Sequence, residues 1–443
     1  HYRHPLVTDE FYYTAKARYI TEHHSFAPID PHALAVERGE EWGNSDWRPP
    51  GYPLIVAAVS LGDFSDPAGA MRFRLTVAQL ALLCAALISL YLSVADALSP
   101  RARLLAAILI GAPPWIFEYV NDVGPDPVNE ALAAFALLLF WRWIRDPRPA
   151  LLAGATAVAA LTMQLRPEMI VLAPVIVAGA FALRRPKRRD LAIALVIYGA
   201  FVGAQVAYHT WFTGRAGVFG GLHIYNRGFF DWANRSWGSE KETYDFVYLV
   251  SEGRSAKAPA RMFDDDGERA AVEQLVERIA ARGFTAEDDA AFERLARQKA
   301  ARHPLRGVLL RGMHLVNVWI NLETNAPLLE ALSPVPRAVR RPFFGAVLLL
   351  RIAALLLAIV SIWRARRLRG DVDRLVILIA LFASARSLLM AFVLEWNVHR
   401  YMLAAWPLVL VAAALAARHT IRGDAAGSRL DHRARLQPRD VAA

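Results

Sequence analysis

Five short stretches of this chain put acids, bases and aromatics where they could share chemistry. The first is Thr8-Asp9-Glu10-Phe11-Tyr12-Tyr13. It reads as a helix start, with Thr8 capping and two acids at the positive end of the dipole. It reads equally as a carboxylate facing a membrane surface, able to act as a general base. The second is Asp46-Trp47-Arg48-Pro49-Pro50-Gly51-Tyr52-Pro53. Its prolines and glycine fix a rigid turn before a short apolar helix. Arg48 then sits at headgroup level, as an interfacial anchor or as a bidentate phosphate clamp.

The third stretch is Asp122-Val123-Gly124-Pro125-Asp126-Pro127-Val128-Asn129-Glu130. Asp126 reads as a helix N-cap with Pro127 at the first helical position. Glu130 lies one turn into an apolar helix, where a carboxylate is costly unless it faces a cavity or a partner. The fourth is Arg166-Pro167-Glu168, an ion pair at a tight hairpin or a substrate contact; a surface pair contributes little stability. The fifth is Glu395-Trp396-Asn397-Val398-His399-Arg400-Tyr401, where Arg400 could bind a lipid phosphate or make a plain headgroup contact. Arg386 sits near the middle of the preceding apolar run, a depth at which arginine usually faces a polar cavity. Asp264-Asp265-Asp266-Gly267 lacks calcium-loop spacing and reads as the cap of the next helix. No nucleotide-binding glycine loop and no zinc-type His/Cys spacing occurs.

The elements that must position these residues are membrane helices. The chain has 443 residues, 55% of them hydrophobic, and the apolar residues come in runs near the ~20 residues that cross a bilayer. The runs are 72–98, 101–120, 127–145, 149–165, 168–184, 190–212, 343–363, 373–395 and 399–418, with the pair 149–165 and 168–184 short. The formal charge is +10, but the arginines cluster at the ends of apolar runs. That placement reads as membrane topology and gives no support to a nucleic-acid partner. Cys84 is the only cysteine, so no intrachain disulfide forms.

Arg101 and Arg103, Arg142 to Arg148, Arg184 to Arg189, Arg364 to Arg369, and Arg418 with Arg422 all follow apolar runs. If these ends are cytoplasmic, every span alternates correctly and the positive-inside rule is met. Residues 1–71 then form a first outer loop with interfacial helices. No span carries them there, which implies a preceding helix absent from this chain or a cleaved signal sequence. A transmembrane bundle over 72–212 follows, then a non-cytoplasmic insert over 213–342, transmembrane helices over 343–418 and a cytoplasmic basic tail over 419–443. The segment 305–322, with Arg311, His314, Asn317 and Asn321 near one polar face, reads as an interfacial helix within the insert. Under this topology all five stretches fall on the outer side. Acids that activate a hydroxyl then stand beside cations that hold a lipid phosphate as charge builds on it.

These residues resemble the GT-C membrane glycosyltransferases, in particular the branch of protein O-mannosyltransferases and lipid A aminoarabinose transferases. The family's acidic pair in its first outer loop is similar to Asp9-Glu10 with the tyrosines that follow. Its basic residue before Pro-Pro or Pro-Gly-Tyr-Pro is matched by Arg48-Pro49-Pro50-Gly51-Tyr52-Pro53. Glu130, Arg166-Pro167-Glu168, Arg400-Tyr401 and the helix ending in His303-Pro304 resemble its later landmarks. The resemblance implies an all-α polytopic membrane protein, a GT-C-like helical bundle with a non-cytoplasmic insert. It implies Asp9, with Glu10 beside it, as catalytic carboxylates, and an acceptor hydroxyl that attacks the anomeric carbon with inversion. Arg48 and Arg400 would hold a polyprenyl phosphate, with Asp46, Tyr52, Asp126, Glu130, Arg166, Glu168, His399 and Tyr401 completing the site. The aminoarabinose transferases place a metal-binding acid directly before the basic residue, where this chain has Trp47, with Asp46 one position away. No residue is therefore assigned as a metal ligand; the cofactor stays unknown, with a divalent metal left open.

The expected function is transfer of a sugar from a polyprenyl-phosphate donor to an envelope glycan, lipid or protein. The Ala- and Arg-rich composition points to a bacterial inner membrane, with the site on the periplasmic face. The alternatives are a transporter or flippase of a lipid-linked sugar, toward which Arg386 leans, and a non-enzymatic assembly partner. The last predicts that the five stretches do not converge.

Overall fold

The computed structural model of the protein describes residues 8–26, 49–96, 98–213, 216–218, 227–236, 246–247, 249–250, 253, 255–320, 335–367, 370–390 and 399–420. Among them all regular structure is helical, and the polytopic all-α class read from the apolar runs holds. Among the described residues five helical stretches are long and apolar enough to cross a membrane. They are α3 (Arg72–Ala95) with the π turn before it, α5 (Asp126–Arg145), α7 (Leu172–Arg184) with the 3-10 turn Pro167–Val171, α8 (Arg188–Thr213) and α13 (Arg337–Ala365). Around them stand α1 (Thr8–His23), α2 (Gly51–Ser60), α4 (Pro100–Gly111), α6 (Pro149–Met163), α14 (Asp371–Leu388) and α15 (Trp406–Thr420).

The run 101–120 does not form one span. Ser99 caps α4, accepting from the Ala102 N–H, and the helix stops at Gly111 before Pro113 and Pro114. Two successive prolines cannot continue a helix, because each lacks an N–H and clashes with the preceding turn. The chain turns there instead and leads through residues 117–125 to α5. That helix is the centre of the bundle, the most buried of the five at 72% of its apolar window. It packs on α3 and α6 and against the 3-10 segment His399–Ala405 that leads into α15. Edge-to-face tryptophans tie this region together: Trp406 lies 5.3 Å from Trp115 and 5.4 Å from Trp319. The Trp319 Nε1–H donates to Ser387 Oγ of α14 at 3.0 Å.

The insert has its own apolar core. α9 (Arg227–Asn234), α10 (Asp266–Arg282) and α11 (Ala286–Arg302) bury Phe229, Trp232, Phe246, Val272, Ile279 and Phe292. Asp265 caps α10 and Thr285 with Asp288 forms a full capping box on α11, so the acid-rich 264–267 stretch is a helix start. Gly283, at φ 80, ends α10 in a conformation an L side chain resists. Arg306, at the start of α12 (Pro304–Ile320), donates to Asp264 Oδ1 at 2.7 Å and ties the insert to that helix. α12 is amphipathic: Leu305, Val308, Leu309, Met313 and Val316 are exposed along one stripe, while Leu310 and Val318 are buried on the other face.

Candidate active site

The Pro-Pro-Gly-Tyr-Pro turn delivers α2 onto the end of α6. The Gly51 N–H donates to Gln164 O at 3.1 Å, and a Cβ on Gly51 would lie 2.4 Å from that same carbonyl. Only glycine lets the two backbones meet this closely. Tyr52 follows, fully buried, its ring 4.8 Å edge-to-face from Tyr13 of α1. Its hydroxyl donates to Gln79 Oε1 at 3.1 Å. The Gln79 Nε2 group in turn donates to Val120 O and Asp122 O, each at 3.0 Å. Burial is the main cause holding the Tyr52 phenol well above its usual range, and the negative charges of Asp126, Asp122 and Glu10 add to it. Tyr52 is therefore a protonated donor among carboxylates.

Glu10 is buried and committed. One oxygen takes a charge-assisted bond from Arg72 Nη2 of α3 and the other accepts the Val123 N–H at 2.9 Å. The first stretch thus reaches the third. Sequence reading missed Arg72 and Gln79. Each is a polar residue on an apolar span, but nothing local distinguishes a buried partner from a headgroup anchor.

The third and fourth stretches meet as well. Arg166 Nη2 bonds Asp126 Oδ2 at 2.7 Å and Arg166 Nη1 bonds Glu168 Oε1 at 3.1 Å, all three side chains nearly buried. Arg386 of α14 donates to the Glu168 backbone O at 3.1 Å. Asp126 is not the N-cap: Pro125 holds that position, no side-chain cap forms, and the Asp126 carboxylate turns to Arg166 instead. A guanidinium offers a buried carboxylate a stronger partner than a neutral backbone N–H does.

Two neighbours on α5 carry unmet polar atoms. Glu130 Oε2 and both amide atoms of Asn129 are buried and make no hydrogen bond among the described residues. An unsatisfied buried polar group of this kind costs about 1–3 kcal/mol.

Asp9 belongs to α1, and His399, Arg400 and Tyr401 open the 3-10 segment that packs on α5 and α12. Their side chains lie outside the described residues, as do Asp46 and Arg48 altogether. Among the described residues no three His, Cys, Asp or Glu side chains converge to hold a metal ion. The structure thus brings together Glu10, Tyr52, Asp126, Arg166 and Glu168 through Arg72, Gln79, Val123 and Gln164, with Glu130 one turn beyond Asp126 on the same helix.

No curated protein matches this chain. Among solved structures it is similar to the Archaeoglobus fulgidus oligosaccharyltransferase in its apo form, at 16% identity and a TM-score of 0.47, over 98% of this chain and 49% of that one. It is similar to the Archaeoglobus fulgidus oligosaccharyltransferase AglB in complex with an inhibitory peptide and a dolichol-phosphate, at 15% identity and a TM-score of 0.43, over 98% and 48%. ArnT from Cupriavidus metallidurans bound to undecaprenyl phosphate is similar at 15% identity and a TM-score of 0.35, over 96% and 76%. The chain spans about half the length of the archaeal enzyme. Residues 49–211, less than half of the chain, which hold Tyr52, Arg72, Gln79, Asp126, Glu130, Arg166 and Glu168, match the sequence model of the family described as Dolichyl-phosphate-mannose-protein mannosyltransferase.

Proposed function

We propose that this chain moves a sugar from a polyprenyl-phosphate donor to a hydroxyl of a cell-envelope acceptor, with inversion, on the periplasmic face of a bacterial inner membrane. One observation carries the reading: stretches far apart in sequence converge on residues 120–126, where Glu10 accepts the Val123 N–H, Tyr52 reaches the Val120 and Asp122 carbonyls through Gln79, and Arg166 bonds Asp126 and Glu168. A non-enzymatic partner has no need of that convergence. The family matched over 49–211 is described by a lipid-phosphate-linked sugar, which supports the donor class.

In this reading Asp9 takes the proton of the acceptor hydroxyl as its oxygen attacks the anomeric carbon. The bond from that carbon to the phosphate oxygen breaks, and the electron pair leaves with the lipid phosphate. Glu10 is occupied by Arg72 and the Val123 N–H, which assigns it to holding α1 in place and leaves proton transfer to Asp9. Arg166 is likewise occupied by Asp126 and Glu168, so the phosphate falls to Arg48 and Arg400, whose charge offsets what develops on the leaving group. No step is routed through a metal.

The test is Asp9→Asn in the full chain in nanodiscs. Sugar transfer should fall by at least two orders of magnitude, the scale of general-base catalysis, with undecaprenyl phosphate binding retained. A variant that keeps turnover removes Asp9 from the mechanism, whereas a wild type that moves lipid-linked sugar across the bilayer without transferring it favours a transporter.

A further inference from the structure

We propose that the first turns of α5 carry a sugar-hydroxyl subsite read by the Asn129 carboxamide beside Glu130. The inference rests on the transferase reading and deepens it. Asp126, Asn129 and Glu130 stand at spacings of three and four and share one helical face. Ala133 continues that face one turn on, and its small side chain is fully buried. Asn129 is 2% exposed and Glu130 is 1% exposed. Yet among the described residues Asn129 Nδ2, Asn129 Oδ1 and Glu130 Oε2 have no hydrogen-bond partner. Nearby, Tyr52, Gln79 and Glu10 find partners within 3.1 Å. Buried polar groups are nearly always satisfied, and an amide with both of its atoms unmet calls for an explanation.

The chemistry of the orphans selects an occupant. The amide presents two donors and one acceptor, and the carboxylate oxygen presents an acceptor. A hydroxyl both donates and accepts, so two adjacent hydroxyls of a pyranose or furanose match an amide edge. A phosphate does not fit, because its oxygens only accept and leave Asn129 Oδ1 and Glu130 Oε2 without a donor. A cation does not fit either: it would satisfy the carboxylate and leave the Nδ2 hydrogens unpaired. A neutral polyol satisfies all three atoms. The phosphate end of the donor then belongs to the cations of the other stretches, and the sugar end to α5.

The experiment compares the full chain with Asn129→Leu and Asn129→Ser in nanodiscs. The probes are undecaprenyl phosphate and its mannosyl, glucosyl and arabinosyl derivatives. The wild type should prefer at least one sugar-bearing lipid over the bare phosphate. Both variants should lose that preference about tenfold or more, the scale of a lost buried hydrogen bond, and keep undecaprenyl phosphate binding within about twofold. The donor KM should rise by the same factor. Variants that retain the wild-type preference, or a wild type with none, overturn the subsite and leave Asn129 solvated by water only. Equal weakening of both lipids in Asn129→Ser also overturns it, as a packing effect. A wild type that binds none of the four lipids sinks the transferase reading itself, a result distinct from loss of sugar preference.

Discussion

Arg166 and Asp126, forty residues apart, form a buried ion pair of 2.7 Å across the ends of α6 and α5. The same guanidinium also holds Glu168 at 3.1 Å. Removing it strands two buried carboxylates, and breaking a buried pair in this way costs about 3–5 kcal/mol. Arg166→Met should therefore lower the thermal midpoint in detergent by several degrees and abolish transfer. Arg166→Lys should fall between, because an ammonium keeps the charge but not the fork that serves two carboxylates at once. Unfolding of Arg166→Met at the wild-type temperature would show that the pair is not what fixes α6 against α5.

Gly51 makes a sharper steric prediction. In Gly51→Ala the new methyl meets the Gln164 carbonyl, a backbone group with little room to retreat. Overpacking of this sort costs about 1–3 kcal/mol. The control is Gly199→Ala in α8, where nothing lies within 4 Å of the added carbon; it should be neutral or slightly stabilising, since alanine favours a helix interior. Thermal unfolding of the two variants side by side checks both.

Lys16 gives a pH dependence. It is buried on α1, and that burial lowers its pKa from 10.5 to about 8. The unfolded chain keeps this proton up to about pH 10.5, the folded chain only to about pH 8. In that window the unfolded state binds more protons, so the Lys16 contribution makes stability climb as pH rises. Lys16→Met removes the charged-state penalty. The variant should be more stable than the parent at pH 7, with the difference narrowing as pH rises from 8 toward 10. Chemical denaturation at pH 7, 8.5 and 10 reads it directly, and a difference independent of pH counts against a buried ammonium.

The apolar stripe of α12 should lie in lipid. We place this helix in the plane of the outer interface, with Leu305, Val308, Leu309, Met313 and Val316 submerged. In a Cys84→Ser background, an environment-sensitive fluorophore at Val308→Cys or Val316→Cys should be quenched by spin-labelled lipids. The same label at Arg311→Cys, on the opposite side of the helix, should not. Equal quenching at all three positions would mean a helix that crosses or one that leaves the membrane.

The all-α polytopic class was legible in the sequence because run length and periodicity are local properties: α3, α5, α8 and α13 coincide with apolar runs. The break at Pro113-Pro114 was equally local, yet hydropathy averaged over it and suggested one span. At the site, residue types pointed to Glu10, Tyr52, Asp126, Arg166 and Glu168; the Arg166–Glu168 pair followed from spacing, but the long-range partners did not.

What the sequence determined by itself is therefore the inventory: apolar helices, and carboxylates and guanidinium groups at their ends, each identified by a desolvation cost that any membrane imposes. Tertiary structure alone decided who meets whom. Arg166 adds Asp126, forty residues away, to its neighbour Glu168, Glu10 is held by an arginine 62 residues away, and Asn129 is left with hydrogen bonds unmet among the described residues. The physical reason is that a helix fixes only which side chains share its face. The groups opposite that face come from elements distant in sequence, and packing of the whole bundle selects them.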